Sequence, residues 1–157
     1  MLFVKIKKKY FIIFSILLSV FLSFFLTYFL SFLNEKPIHS ETLNNYSTLK
    51  SLIFRVLIGP FLETLIFQAA IIEFIMYHLK IKKLAVPVLV SGIIFGIVHY
   101  FNNFNVIYMV YAILLGFILS LIYVIAKKRK DTNPFLITFI CHFFINLIAF
   151  ILRIFNT

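Results

Sequence analysis

An all-α bundle of about five membrane-spanning helices is the fold class that the sequence predicts, and three observations predict it. Hydrophobic residues fill 63% of the 157 positions and charged residues only 13%, against roughly 45–50% and 25% in soluble domains. The apolar residues fall into five runs, each long enough to cross the ~30 Å hydrocarbon core at about 1.5 Å per residue. The basic residues gather between the runs rather than within them. The net charge of +10 therefore reads as a topology signal and not as a nucleic-acid footprint. A single cysteine, Cys141, excludes an internal disulfide and any multi-cysteine metal site.

The first run, Tyr10 to Leu33, holds 24 residues without a charge. It follows "KIKKKY", but it is longer than the roughly 7–15 residues of a signal h-region and ends in no small-residue cleavage site. It is a span that stays in the chain, with its many phenylalanines as lipid-facing bulk. Asn34 to Lys50 is polar and reads as a loop. A second helix is expected from near Ser47 to about His78. Pro60 lacks a backbone donor and should kink or restart it, making Ser47–Ile58 an interfacial segment ahead of a true span at Gly59–Leu79.

Leu84 to Phe101 is the third span, with Pro87 in the first turn, where proline is tolerated. "NNFN" makes a short hairpin, and Val106 to Ala126 is the fourth span. After the basic loop "KKRKDTN", Asn133 is the expected N-cap and Pro134 the first helical residue of a fifth span, Phe135 to Leu152. With five spans, Lys5, Lys7, Lys8, Lys9, Lys80, Lys82, Lys83, Lys127, Lys128, Arg129 and Lys130 share one side, which is eleven of the fifteen basic residues. By the positive-inside rule the N-terminus is expected in the cytoplasm and the C-terminus outside, in the cell membrane. Residues 1–46 would be an N-terminal helix and outer loop, and 47–157 a four-helix core.

Only a few ionisable or strongly polar groups lie inside the spans: Glu63, Gln68, Glu73, His78, His99, His142 and Asn146. A carboxylate at the bilayer centre costs about 2.5–3.5 kcal/mol even on insertion scales, so such groups face the bundle interior or a watery cavity. Glu63 precedes Lys80 by 17 residues and His99 follows Lys83 by 16. On antiparallel neighbours, a carboxylate and an imidazole thus reach the same depth, about 24–26 Å from the basic end. His142 and Asn146, at i and i+4, share one face of the fifth span but count as shallower, about 12–18 Å from Asn133.

A carboxylate, two imidazoles and an amide in a protected cavity suit hydrolysis. The carboxylate can take a proton from water, and a histidine can orient that water or protonate a leaving amine. A second histidine and an asparagine can donate to an oxyanion. Glu63, His99 and His142 are also a zinc-ligand set with an open fourth position, although H-E-x-x-H is absent. No other cofactor is implied. Cys141 points about 100° from His142 around its helix, which argues against a Cys–His dyad. Glu73, ten residues past Glu63, is expected to pair locally or reach interfacial water, and His78 to be interfacial.

Three blocks in this order resemble the CPBP family of intramembrane proteases, which includes the CAAX-type prenyl endopeptidases and bacteriocin-processing or immunity relatives. "GPFLETLIFQAAII" is similar to the first block, E-E-x-x-x-R, through Glu63. "SGIIFGIVHYFNN" resembles the second, F-x-x-x-H, through Phe95 and His99, and "ITFICHFFINLI" the third, H-x-x-x-N, through His142 and Asn146. The resemblance spans roughly Gly59 to Ile151. It implies that Glu63 and His99 activate water and that His142 and Asn146 hold the oxyanion, with Gln68 and Phe95 in support. The chain departs from the family at Thr64, where the second Glu is expected, and at Gln68, where the Arg is expected.

The implied function is an intramembrane endopeptidase acting on membrane-associated peptides or proteins, such as a bacteriocin or pheromone precursor. Its partners would be that substrate and the lipid bilayer, with no nucleic acid. The alternative is a catalytically weak or inactive self-immunity protein that acts by binding, which Thr64 and Gln68 favour. A small transporter is a third class, since ion relays also use buried Glu and His. The short chain and lack of a repeated half oppose it.

Overall fold

The computed structural model describes residues 6–33 and 48–155. The described residues form five helices, each long and apolar enough to cross a membrane. They are α1 (Lys8–Ser31), α2 (residues 48–78), α3 (Ala85–Asn103), α4 (Val106–Lys128) and α5 (Pro134–Phe155). The protein is an all-α integral membrane protein. Most of the stretch read as a loop, 34–47, lies outside the described residues, while 48–50 already belong to α2.

The expected break at Pro60 does not occur. α2 continues through it because α-turns alternate with π-helical stretches at Ile53–Ile58, Thr64–Ala70 and Phe74–His78. In these, N–H groups reach five residues back: Gly59 to Phe54 O, Ile71 to Ile66 O and Leu79 to Phe74 O. π-turns of this kind gather at functional sites. Pro60 offers no N–H to the carbonyl five residues behind it, Arg55 O. Asn146 Nδ2 of α5 supplies a donor there at 2.9 Å, so the proline's missing donor is met by a neighbouring helix rather than by a break.

Two termini follow local chemistry. Asn105 caps α4, its side chain accepting from Tyr108 N at 3.0 Å. Asn133 caps α5 as expected, accepting from Leu136 N at 3.1 Å ahead of Pro134. The hairpin read as "NNFN" shrinks to Phe104 and Asn105, with Phe104 in the left-handed region at φ 51°.

α3 and α4 approach each other closely, and glycine permits it. A Cβ on Gly92 would fall 2.1 Å from Phe117 Cδ1, and one on Gly96 2.1 Å from Ile113 Cγ1. A Cβ on Gly116, across the interface, would meet the Gly92 Cα at 2.8 Å. Small residues four apart draw membrane helices together because lipid supplies no hydrophobic drive between them. Beside this seam Ser91 Oγ donates to Phe67 O at 2.8 Å and meets Ser120 Oγ at 2.6 Å, joining α2, α3 and α4.

α1 packs on α4 and α5. Phe14, Phe21, Phe25 and Phe29 face outward as expected, but Phe11 is buried and a stripe of Ser15, Ser19 and Ser23 turns inward. Ser23 Oγ meets Tyr111 OH at 2.7 Å. Arg129, read above as one member of a basic cluster, is only 4% exposed. It donates to Ile6 O at 2.8 Å, pairs with Asp131 and stacks 4.6 Å over the Phe11 ring.

Candidate active site

Three helices each deliver one ionisable side chain to a common point. Glu63 Oε2 of α2 lies 3.4 Å from His142 Nε2 of α5 and 3.8 Å from His99 Nε2 of α3. The depth match of Glu63 and His99 is thus met by contact. The expected shallower position of His142 is not. One contribution is that seven residues at Thr64–Ala70 and five at Phe74–His78 are π-helical. More residues per turn give less rise per residue, so an α-helical count overstates how far Glu63 stands from the basic end.

Exposure is graded across the trio: the Glu63 side chain is 30% exposed, His99 12% and His142 2%. The carboxylate is therefore the most accessible of the three and the His142 ring the least. Each ring is held from behind. His99 Nδ1 lies 2.8 Å from Phe95 O; a carbonyl only accepts, so Nδ1 carries the proton and Nε2 turns a lone pair toward Glu63 when the ring is neutral. The Phe95 ring, 1% exposed, sits 4.2 Å from the His99 ring and 5.9 Å from the His142 ring, centroid to centroid. Phe95 thus supports both histidines, and Phe67 backs it edge-on at 5.4 Å. His142 Nδ1 meets Thr64 Oγ1 at 3.4 Å.

Asn146, one turn beyond His142, spends one amide N–H on Arg55 O. Among the described residues its second N–H and its carbonyl make no further hydrogen bond. Gln68 is fully buried, and among the described residues neither its Nε2 nor its Oε1 has a hydrogen-bond partner. It therefore makes no contact with Glu63 of the kind an Arg would make. Among the described residues, no three His, Cys, Asp or Glu side chains are grouped so as to hold a metal ion.

Glu73 pairs locally, as expected. Tyr123 OH donates to it at 2.9 Å and Lys127 Nζ at 2.6 Å. Cys141 is buried in the core cluster with Phe11, Leu115 and Ile145. Sequence reasoning marked Thr64 only as a departure from a pattern. It missed the Phe95 carbonyl, for which a side-chain code carries no signal, and the Arg55 carbonyl, whose signal was Pro60 five positions on.

Neither the curated proteins nor the solved structures contain a match to the chain. A family profile does match, over residues 45–148, a stretch that includes Glu63, His99, His142 and Asn146 and leaves α1 outside. The chain belongs to the type II CAAX prenyl endopeptidase Rce1-like family.

Proposed function

We propose that the chain is an intramembrane endopeptidase that hydrolyses peptide bonds of membrane-associated peptides or proteins with a water activated by Glu63 and His99. The observation that carries this reading is the approach of two imidazole Nε2 atoms to one part-exposed carboxylate oxygen, at 3.4 and 3.8 Å. A water between Glu63 and His99 meets two acceptors, the carboxylate and the bare Nε2. Both of its protons are then engaged, and its lone pairs turn outward to a substrate carbonyl. As the oxygen adds to that carbon, one proton passes to Glu63. The carbonyl oxygen becomes an oxyanion, for which His142 Nε2–H and the second Asn146 N–H are the donors. Collapse expels the amine, which takes the proton from Glu63. No cofactor enters these steps, so 1,10-phenanthroline is expected to leave the activity intact; its loss would favour zinc on Glu63, His99 and His142 instead.

The substrate class is a membrane-associated peptide or protein such as a bacteriocin or pheromone precursor. The cell membrane is the site of action, with the N-terminus and the three basic clusters cytoplasmic. The second reading, a catalytically weak or inactive immunity protein that acts by binding, is favoured by Thr64 and by Gln68, whose buried amide lacks partners among the described residues where the family pattern has an arginine. N-terminal mass spectrometry of membrane and secreted peptides separates the two. Peptide ends present with the native chain and missing with Glu63→Gln are the expected result. Identical ends at equal expression would sink proteolysis and leave binding.

A further inference from the structure

We infer that Thr64 is a positioning residue that holds His142 in its Nε2–H tautomer, opposite to the tautomer of His99. Thr64 is 0% exposed, and among the described residues its hydroxyl has a single partner, His142 Nδ1 at 3.4 Å. A helical threonine usually returns its hydroxyl to a carbonyl three or four residues back. Here the hydroxyl reaches across to α5. The ring it meets is 2% exposed, so water does not serve Nδ1 in its place.

The carboxylate sets the sense of this hydrogen bond. His142 Nε2 stands 3.4 Å from Glu63 Oε2. Were Nε2 bare, two acceptors would oppose each other there; with a proton it donates. A neutral ring with Nε2–H has a bare Nδ1, and an acceptor buried without a donor costs about 1–3 kcal/mol. Thr64 Oγ–H is that donor. His99 is set the other way by the Phe95 carbonyl, which requires Nδ1–H. The two histidines thus bring one acceptor and one donor to the site: His142 donates to the Glu63 oxygen, and the bare His99 Nε2, at the longer distance of 3.8 Å, shares with it the water that donates to both. On the proteolytic reading, which this inference deepens, the acceptor serves the water and the donor serves the oxyanion. Thr64 therefore has a role of its own in this site, where the family pattern has a second acid.

The test is ¹⁵N–¹H correlation spectroscopy of ¹⁵N-histidine-labelled full-length protein in lipid nanodiscs, with His142 assigned by its loss in His142→Gln. Native protein and Thr64→Ser are expected to show Nε2–H with bare Nδ1 at His142. Thr64→Val, nearly the same shape without the hydroxyl, is expected to show Nδ1–H or a mixture, with His99 unchanged. Thr64→Ala serves if valine disturbs folding. Cleaved ends in cells should fall about 10–100-fold for Val and less than about threefold for Ser, as for other residues that orient a site. A native His142 carrying its proton on Nδ1, or a Val and Ala tautomer identical to native, overturns the inference. The tautomer is read without any substrate, so absence of cleaved ends would defeat proteolysis alone.

Discussion

Two carboxylates sit on one apolar helix, ten residues apart, and the bundle treats them in opposite ways. Glu73 is neutralised: the Lys127 ammonium and the Tyr123 hydroxyl both donate to it, and the cluster ties α2 to α4. Among the described residues Glu63 pairs with no lysine or arginine and meets two imidazoles at 3.4 and 3.8 Å, with 30% of its side chain open. An acid saturated with donors is a poor base. An acid that meets only weak, neutral partners keeps a lone pair for an incoming proton. The difference teaches that burying a carboxylate in a membrane helix does not decide its role; what its neighbours donate does.

The largest expected effect comes from exchanging one oxygen at each site. Glu63→Gln should lower product formation by about 10²–10⁴-fold, the usual reach of a general base, with little change in thermal melting. Glu73→Gln should leave product formation within a few-fold and lower stability by about 1–2 kcal/mol. That lies between the surface and buried limits for a broken ion pair, because both side chains are more than a third exposed. Melting and peptide yield measured on both variants would break the contrast if the two effects fell on the same one.

A smaller effect sharpens the Glu73 half. A double-mutant cycle with Glu73→Gln and Lys127→Met should return a coupling of about 1 kcal/mol in melts, and a value near zero would remove the tie between α2 and α4. Smaller again, Gln68→Met should raise the melting temperature, because it replaces two unsatisfied buried polar atoms with an apolar chain of similar volume, worth about 1–3 kcal/mol. A drop would mean that the amide has a partner in the membrane.

The smallest effect belongs to Asp131, outside the spans. Hydrogen bonds from Arg129 hold its carboxyl below the usual carboxylate range. A depressed pKa contributes stability above the unfolded value and loses it as pH falls through the folded one. Melting of the native protein should therefore decline on acidification by slightly more than that of Asp131→Asn. Coincident curves would show that the pair adds nothing.

The five helices were legible in the sequence because each apolar run exceeds the bilayer and each break is charged or polar. Glu63, His99 and His142 were legible for the complementary reason: a charged or imidazole group within an apolar run is expensive, and Glu63 and His99 count to one depth, although the same count set His142 shallower than the structure does. Asn146 was legible as a polar residue one turn from His142, but not as the donor that answers Pro60. The π-turns of α2 were hidden, since α and π winding use the same apolar residues and differ only in which carbonyl each N–H finds. Arg129 was hidden for another reason. Counting charges by cluster treats neighbours alike, and one of four basic residues in its loop is buried while the charge pattern stays the same.

That arginine has a consequence for assembly. α1 is made before the helices it packs on, yet the groups that hold its N-terminal end, Arg129 and Asp131, belong to the turn between α4 and α5. While the ribosome is still adding α2 and α3, α1 can cross the bilayer but has no clasp to close on. α4 then offers it a face, with Tyr111 meeting Ser23, and the turn after α4 fastens its N-terminal end, so a chain cut short before residue 129 would keep α1 against α4 but leave that end unfastened.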